Sequence, residues 1–215
     1  MTLGISSFSY FRTCQKLLDP TNCRDLTSLQ VIIFMIIFLQ SSTELCACYP
    51  YIGIALRAAL HLGLHRNIQG NFNPIERELR KRTFWTIRSM DVYVSTRRGL
   101  PISVDSDDID QEYPLEIDDE FITQVGILPM PSSRTSLIAG ANAQNRLLDI
   151  IIEVVKTVYP VKVARCQEKP DHTYMVSYSK IQEIEVSLQA WEDHVSSTLN
   201  TKERNVPSSP PAMER

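Results

Sequence analysis

Apolar positions along this chain recur mainly at spacings of three and four, the period of an amphipathic helix. Val31 to Leu39 is a run of nine apolar residues between Gln30 and Gln40. Thr27 and Gln30 precede it as T-x-x-Q, a capping-box pattern, so a helix is predicted over Ser28 to Gln40. That helix is apolar nearly all round and is expected at the centre of a domain. Ile54, Ala55, Ala58, Ala59 and Leu62 predict a second helix over Tyr49 to Leu64. Its alanines permit close packing, and Gly63 is placed to end it in the left-handed conformation. Asn73-Pro74-Ile75-Glu76 opens a third: Asn73 can cap, Pro74 suits the first helical position and Glu76 follows at the box spacing. Glu76 with Arg80 and Glu78 with Arg82 support it as i,i+4 pairs. It runs to about Thr96 before Gly99-Leu100-Pro101 breaks it.

Residues 105–120 carry Asp105, Asp107, Asp108, Asp110, Glu112, Glu116, Asp118, Asp119 and Glu120 with no basic residue among them. The pattern predicts an extended surface connection, with a second break at Met130-Pro131-Ser132-Ser133. Helical spacing then resumes. Ile138, Ala141, Asn145, Leu148, Ile152, Val155 and Tyr159 form one face, and Leu147, Ile151, Val154 and Val158 a second. This predicts a helix buried on two sides and ended by Pro160. Ile181, Ile184, Leu188, Trp191, Val195 and Leu199 share one stripe of a last helix. No strand alternation and no internal repeat is present. The expectation is an all-α, multi-helix fold, seven or more helices around one core, forming a domain over residues 1–200 that is incomplete at its C-terminal end. Residues 201–215, polar and proline-containing, read as a disordered tail.

Composition changes this picture little. The 215 residues are 43% hydrophobic and 22% charged, which is ordinary for a globular chain. A net charge of −3 argues against direct contact with DNA, which usually requires a basic face. The five cysteines (Cys14, Cys23, Cys46, Cys48 and Cys166) are odd in number and irregularly spaced, favouring reduced thiols over a disulfide framework. No signal peptide is seen at the start of the chain. Nine apolar residues fall short of the roughly 20 that a spanning helix needs, so a membrane role is not expected.

From Asp25 onward the order of short motifs becomes informative. Ala55-Leu56-Arg57-Ala58-Ala59 leads to Leu62-Gly63-Leu64-His65-Arg66. Glu76-Arg77-Glu78, Arg80-Lys81-Arg82, Phe84-Trp85 and Met90-Asp91 follow, then Gly99-Leu100-Pro101, Asp107-Asp108-Ile109-Asp110 and Pro114. This succession resembles the fungal-specific transcription factor domain, the middle homology region of binuclear zinc-cluster regulators. It is strongest over residues 25–125, and the last helix resembles the family's later L-x-x-W helix. Within the family it resembles most the activators of fatty-acid or plant-polymer breakdown. Val92 stands where the family often has arginine, and Leu100 replaces the arginine of its G-R-P.

The resemblance implies a regulatory, non-enzymatic role in the nucleus, responding to a small-molecule inducer or a co-regulator protein, with a homodimer as one expected form. It also implies that DNA is reached only through a zinc cluster this chain lacks. That cluster needs six closely spaced cysteines beginning with C-x2-C, and Cys46-Ala47-Cys48 is the nearest approach. No cofactor, metal site or catalytic residue is expected in these 215 residues. His61 and His65 have i,i+4 spacing, but Gly63 ends the helix between them. The acidic run lacks the glycine of a calcium loop. The basic residues of the third helix read as a solvated face and as a candidate partner for the acidic run, and Asp91 is expected to pair with an arginine. The alternatives are a helical enzyme, which needs a cluster of titratable residues in a pocket, and a membrane-associated helical protein.

Overall fold

The computed structural model describes residues 2–19, 23–42, 45–68, 70–131, 134–159 and 176–199. The expected tail at 201–215, Cys166 and the stop at Pro160 lie outside them. The described residues carry six α-helices: α1 (Thr2–Leu17), α2 (Leu26–Ser41), α3 (Leu45–His61), α4 (Pro74–Arg98), α5 (Leu137–Val158) and α6 (Tyr178–Leu199). Two 3-10 turns, Ser106–Asp108 and Asp119–Phe121, lie between α4 and α5. Among these residues there is no strand, only one antiparallel bridge between Ile122 and Ile127. The fold is all-α, as expected. It divides into two compact units, residues 1–114 and 115–215.

In the first unit the core is built by α2, α3 and α4. Leu29, Ile32 and Ile36 of α2 meet Ile52, Ala55 and Ala59 of α3 and Phe84 and Ile87 of α4, all fully buried. The small side chains of α3 let neighbouring backbones approach, as its alanines suggested. α1, which helical periodicity does not single out, adds an aromatic contact: Phe11 stacks on Phe38 at 5.2 Å and meets Tyr51 edge-on at 6.3 Å. α2 departs from expectation twice. Its cap is Asp25, whose carboxylate accepts from Ser28 N at 2.8 Å and from Ser28 Oγ at 2.7 Å, so the helix starts before the Thr27 box. It is not central either, since Phe34 is 70% and Ile37 44% exposed. α3 starts four residues before Tyr49, with Pro50 in its second turn, where the ring removes only the bond to the Cys46 carbonyl.

α4 follows its sequence signals closely. Asn73 accepts from Glu76 N at 2.8 Å and Pro74 opens the helix. Both α3 and α4 end in the same way. Gly63 N donates to Leu60 O and Leu64 N to Ala59 O; Gly99 N donates to Thr96 O and Leu100 N to Ser95 O. These are Schellman motifs with glycine at positive φ, 67° and 64°.

The second unit is centred on α5 and α6, which run antiparallel. Trp191 Nε1 donates to Ala143 O at 2.8 Å, and Arg146 meets the His194 ring at 2.6 Å. Ser136 caps α5 by accepting from Ile138 N. Only one face of α5 is buried, including Leu148 and Ile152; Leu147, Ile151, Val154 and Val158 are half-buried rather than forming a second buried side.

Trp85 sits in the first unit's core, 6% exposed, edge-on to Phe84 at 5.6 Å, with Met90 buried nearby. Replacing Trp85 with alanine is expected to cost about 3–5 kcal/mol. Urea denaturation of the variant checks this, and an unchanged midpoint would contradict the packing described.

Candidate functional site

The residues that carry the family likeness converge on one place in the first unit. The Gly63 turn leaves the carbonyls of Leu64, His65 and Arg66 pointing away from α3. Backbone acceptors at a helix end need donors, and the acidic segment supplies them. Asp110 N and Gln111 N both donate to His65 O, at 3.2 and 3.1 Å. Gln111 Nε2 donates to Leu64 O at 2.9 Å and to Arg66 O at 3.0 Å. In return Asp110 Oδ1 accepts from Asn67 N at 2.8 Å. The segment is therefore a strap laid over the turn rather than a free surface connection.

The strap is fastened to α4 as well. Trp85 Nε1 donates to Glu112 O at 2.8 Å, and Tyr113 stacks on the indole at 4.3 Å. Lys81, only 5% exposed, reaches Glu112 Oε2 at 2.6 Å, and Asn67 Nδ2 donates to the other carboxylate oxygen at 3.3 Å. Pro114, buried, follows the stack. At the strap's beginning stands Asp91, 2% exposed. Its carboxylate accepts from Ser103 N and Ser103 Oγ, both at 2.9 Å, and from Ser95 Oγ at 3.4 Å. The expected arginine partner is not used: hydroxyl and backbone donors satisfy the charge without burying a second ion. Between these two fastenings Arg88 donates to Ser106 Oγ at 3.2 Å and lies 5.1 Å from the Trp85 ring.

The strap and the Gly63 turn enclose a cleft of about 470 Å³ lined by Leu60, His65, Arg66, Ser103, Val104, Asp107, Asp108 and Asp110. His65 lies on its wall. Its Nε2 accepts from Arg66 Nε at 3.2 Å, while Nδ1 is buried without a hydrogen-bond partner. Burial pushes the imidazole's pKa down, Arg66 adds to this, and Asp110 and Asp108 oppose it.

Of the motif residues, Leu62, Gly63, Leu64, His65, Arg66, Trp85, Asp91, Asp110 and Pro114 are drawn into this arrangement, and Phe84 packs beneath it. Gly99 and Pro101 lie at its root, where α4 gives way to the strap. Asp108 is exposed, lines the cleft and acts on His65 through its charge. The Lys81–Glu112 pair is an instance of the expected contact between the basic helix and the acidic run. Ser103, Gln111 and Asn67 share the fastening, and no sequence signal marks them.

The basic residues of α4 have neighbours within the fold, although Arg77, Arg97 and Arg98 are themselves exposed. Arg80 donates to Leu62 O at 2.8 Å and lies over Phe72 at 4.5 Å. Arg82 pairs with Glu78 at 3.1 Å. Arg97 donates to Tyr93 Oη at 2.8 Å, Arg98 lies 5.9 Å from the Tyr49 ring, and Arg77 adds its field to Lys81 at Glu112. Among the described residues no group of three or more His, Cys, Asp or Glu side chains could hold a metal ion. Cys48 is buried and donates weakly to Ile36 O at 3.9 Å, whereas Cys46 is exposed. Among the described residues the cysteines therefore form no group of the kind a binuclear zinc cluster needs. No helix of the structure is long and apolar enough to cross a membrane.

Two outcomes follow from this geometry. The hydrogen bond and charge of Lys81 hold the Glu112 carboxyl below the usual glutamate range. A depressed native pKa stabilises the fold above the unfolded value and loses that contribution as pH falls through the native one. The wild-type urea midpoint should therefore drop on acidification below the ordinary glutamate range by more than that of Glu112→Gln, which a pH series of denaturation curves measures. Second, because the net charge is −3 and no group among the described residues could hold a metal ion, the isolated chain should give no nanomolar, sequence-dependent gel shift with duplex DNA.

The comparisons with known proteins identify the family. The model of the fungal specific transcription factor domain matches residues 2–193. The Saccharomyces cerevisiae protein named activator of stress genes 1 is 39% identical over 202 residues, covering 93% of this chain and 20% of that protein. Activator of stress genes protein 1 of Candida albicans is 40% identical over 205 residues, covering 89% of this chain and 20% of that protein. An ABC-transporter-regulating transcription factor of Aspergillus fumigatus is 28% identical over 189 residues, covering 86% of this chain and 20% of that protein. None of the three names mentions fatty-acid or plant-polymer breakdown, the specialisation expected from the motifs. No solved structure matches. The chain spans about a fifth of the length of these relatives. With the strap, its two glycine turns and the Trp85 fastening all falling inside the matched region, the chain belongs to the fungal-specific transcription factor domain family.

Proposed function

We propose that these residues are the regulatory region of a fungal zinc-cluster transcription factor, controlling transcription of target genes in response to an inducer or a co-regulator. Residues 1–200 form the regulatory domain in this reading, and the family match over 2–193 supports that extent. The protein acts in the nucleus and is a regulator rather than an enzyme. Contact with DNA is made by a zinc cluster outside these residues, and a homodimer is one form open to it. Relatives named as transcriptional activators and regulators support this.

The observation that carries the mechanism is the strap. A segment rich in carboxylates is held by hydrogen bonds, the Lys81–Glu112 ion pair and the Tyr113–Trp85 stack to a turn and a helix that belong to the core. Such a segment has two states, fastened and released, and any ligand that favours one shifts the population. The cleft under the strap gives a small inducer access to the Asp110 and Ser103 fastenings. A co-regulator could instead hold the strap from outside through its exposed carboxylates.

Gly99 tests this reading. Its φ of 64° costs a residue with a side chain about 1–2 kcal/mol, and a Cβ there would meet nothing within 4 Å. Gly99→Val therefore strains the root of the strap without a clash. In a full-length, cluster-bearing relative the equivalent change should lower stability modestly and alter inducer dependence in a reporter assay. If stability falls while inducer dependence stays normal, the turn is a helix stop only and the strap has no regulatory part.

A further inference from the structure

Two serines of the strap have hydroxyls with opposite partners. Ser103 Oγ donates to Asp91 Oδ1 at 2.9 Å, so it faces an anion. Ser106 Oγ accepts from Arg88 Nη2 at 3.2 Å, so it faces a cation. Arg88 is 3% exposed, and its guanidinium lies 5.1 Å from the Trp85 ring, on the floor beneath the strap. Ser106 itself is exposed, as are Asp105, Asp107, Asp108 and Asp110 around it. The local backbone is one 3-10 turn, closed by Asp108 N to Asp105 O and Ile109 N to Ser106 O, both at 3.2 Å. Little has to be undone to draw such a turn into an extended form that an enzyme can grip.

A phosphoryl group on Ser106 changes the Arg88 contact in kind. It carries about −1.5 to −2 charges and three strong acceptor oxygens. The neutral acceptor that Arg88 now meets becomes an anionic one, and charge-assisted hydrogen bonds are roughly twice as strong as neutral ones. Asp105, Asp107 and Asp108 oppose this by repulsion. They stand in water, where charges are screened, whereas Arg88 is buried and its pairing is screened much less. The attraction therefore prevails. On Ser103 the same group is set against the buried Asp91 carboxylate and breaks the fastening there.

We propose that Ser106 is a phosphorylation site for an acid-directed serine kinase, and that phosphate on it locks the strap down through Arg88. The basic substrate groove of such a kinase recognises Asp107, Asp108 and Asp110 just beyond the serine by complementary charge. The step is a phosphoryl transfer from a nucleoside triphosphate. Ser106 Oγ attacks the γ-phosphorus, the bond from that phosphorus to the β,γ-bridging oxygen breaks, the nucleoside diphosphate leaves, and the hydroxyl proton passes to the kinase's base. The proposal deepens the regulatory reading and rests on its fastened and released states: a covalent mark on the strap selects the fastened one.

The test uses the full 215-residue chain. Incubation with an acid-directed serine kinase and ATP should place phosphate on Ser106, located by peptide mass spectrometry. Asp107→Asn with Asp108→Asn, both exposed, should slow that incorporation about fivefold or more. The chain with phosphoserine encoded in place of Ser106 is then compared with the unmodified chain by amide hydrogen exchange. The amides of Asp110 and Gln111, bonded to His65 O, should exchange about fivefold or more slowly, and those of α5 at an unchanged rate. Arg88→Gln should abolish the slowing. If that variant does not fold, phosphoserine in place of Ser103 gives the second measure, since it should speed the same amides. No incorporation at Ser106, incorporation indifferent to the Asp107 and Asp108 changes, strap amides that exchange no more slowly, or equal effects of phosphate at the two serines would overturn the proposal. If the slowing fails while Gly99→Val alters inducer dependence, the regulatory reading stands without this mark. If the slowing holds while the Gly99 test fails, Ser106 locks a strap that has no regulatory part.

Discussion

A carboxylate taken out of water has to be given donors, and Asp91 sits 2% exposed on the inner face of α4. Ser95, one turn along the same helix, supplies one donor. The other two come from Ser103, which can reach only if the chain reverses direction after α4. The Gly99 turn makes that reversal, and Pro101 carries the chain out of it. Once Ser103 is seated, Val104 enters the core and the acidic segment is committed to run back along α4 toward the Gly63 turn. Its remaining attachments (Ser106 to Arg88, Gln111 to the turn carbonyls, Glu112 and Tyr113 to Lys81 and Trp85) follow in chain order. The course of the chain from Gly99 into the strap depends on satisfying one buried charge.

That dependence explains why the family likeness is a succession of small motifs rather than one long match. Leu62 to Arg66 provide a turn with exposed carbonyls; Phe84-Trp85 provide a floor and an indole donor; Asp91 provides the anchor; Gly99 and Pro101 provide the reversal; Asp110 and Pro114 bracket the fastened stretch. Each is a short requirement imposed by another part of the chain. Leu100 in place of the family's arginine is compatible with this, because the Schellman motif uses only its backbone N–H.

Helices and their ends were largely readable from the sequence, since both periodicity and capping act over a few residues. Asn73, Gly63 and Gly99 have the roles their chemistry suggests. α1 escaped notice because Thr2 to Leu17 mixes polar and aromatic residues without a repeating stripe, and its place rests on Phe11 meeting Phe38 and Tyr51. The cap of α2 moved to Asp25 because a carboxylate that reaches Ser28 N and Oγ together outcompetes a threonine two residues on. An acidic run reads as solvated, yet part of what fastens the strap is backbone: the amides of Ser103, Asp110 and Gln111 and the carbonyl of Glu112. No pattern of residue types marks such bonds, which join positions far apart in the chain, from 12 residues at Ser103 to 27 at Glu112 and more at Gln111.

The chain has two tryptophans, and each unit holds one. Both indoles donate to a backbone carbonyl, Trp85 to Glu112 and Trp191 to Ala143. Their surroundings differ: Trp85 is buried against Phe84 and Tyr113, while Trp191 is half-exposed on the hairpin. Emission from the first should be the bluer of the two and should redden when the strap lifts. Emission from the second reports on α6 leaving α5. The protein thus carries a separate native optical probe for each half, and exchanging either indole for phenylalanine silences one channel while leaving the other to be followed alone.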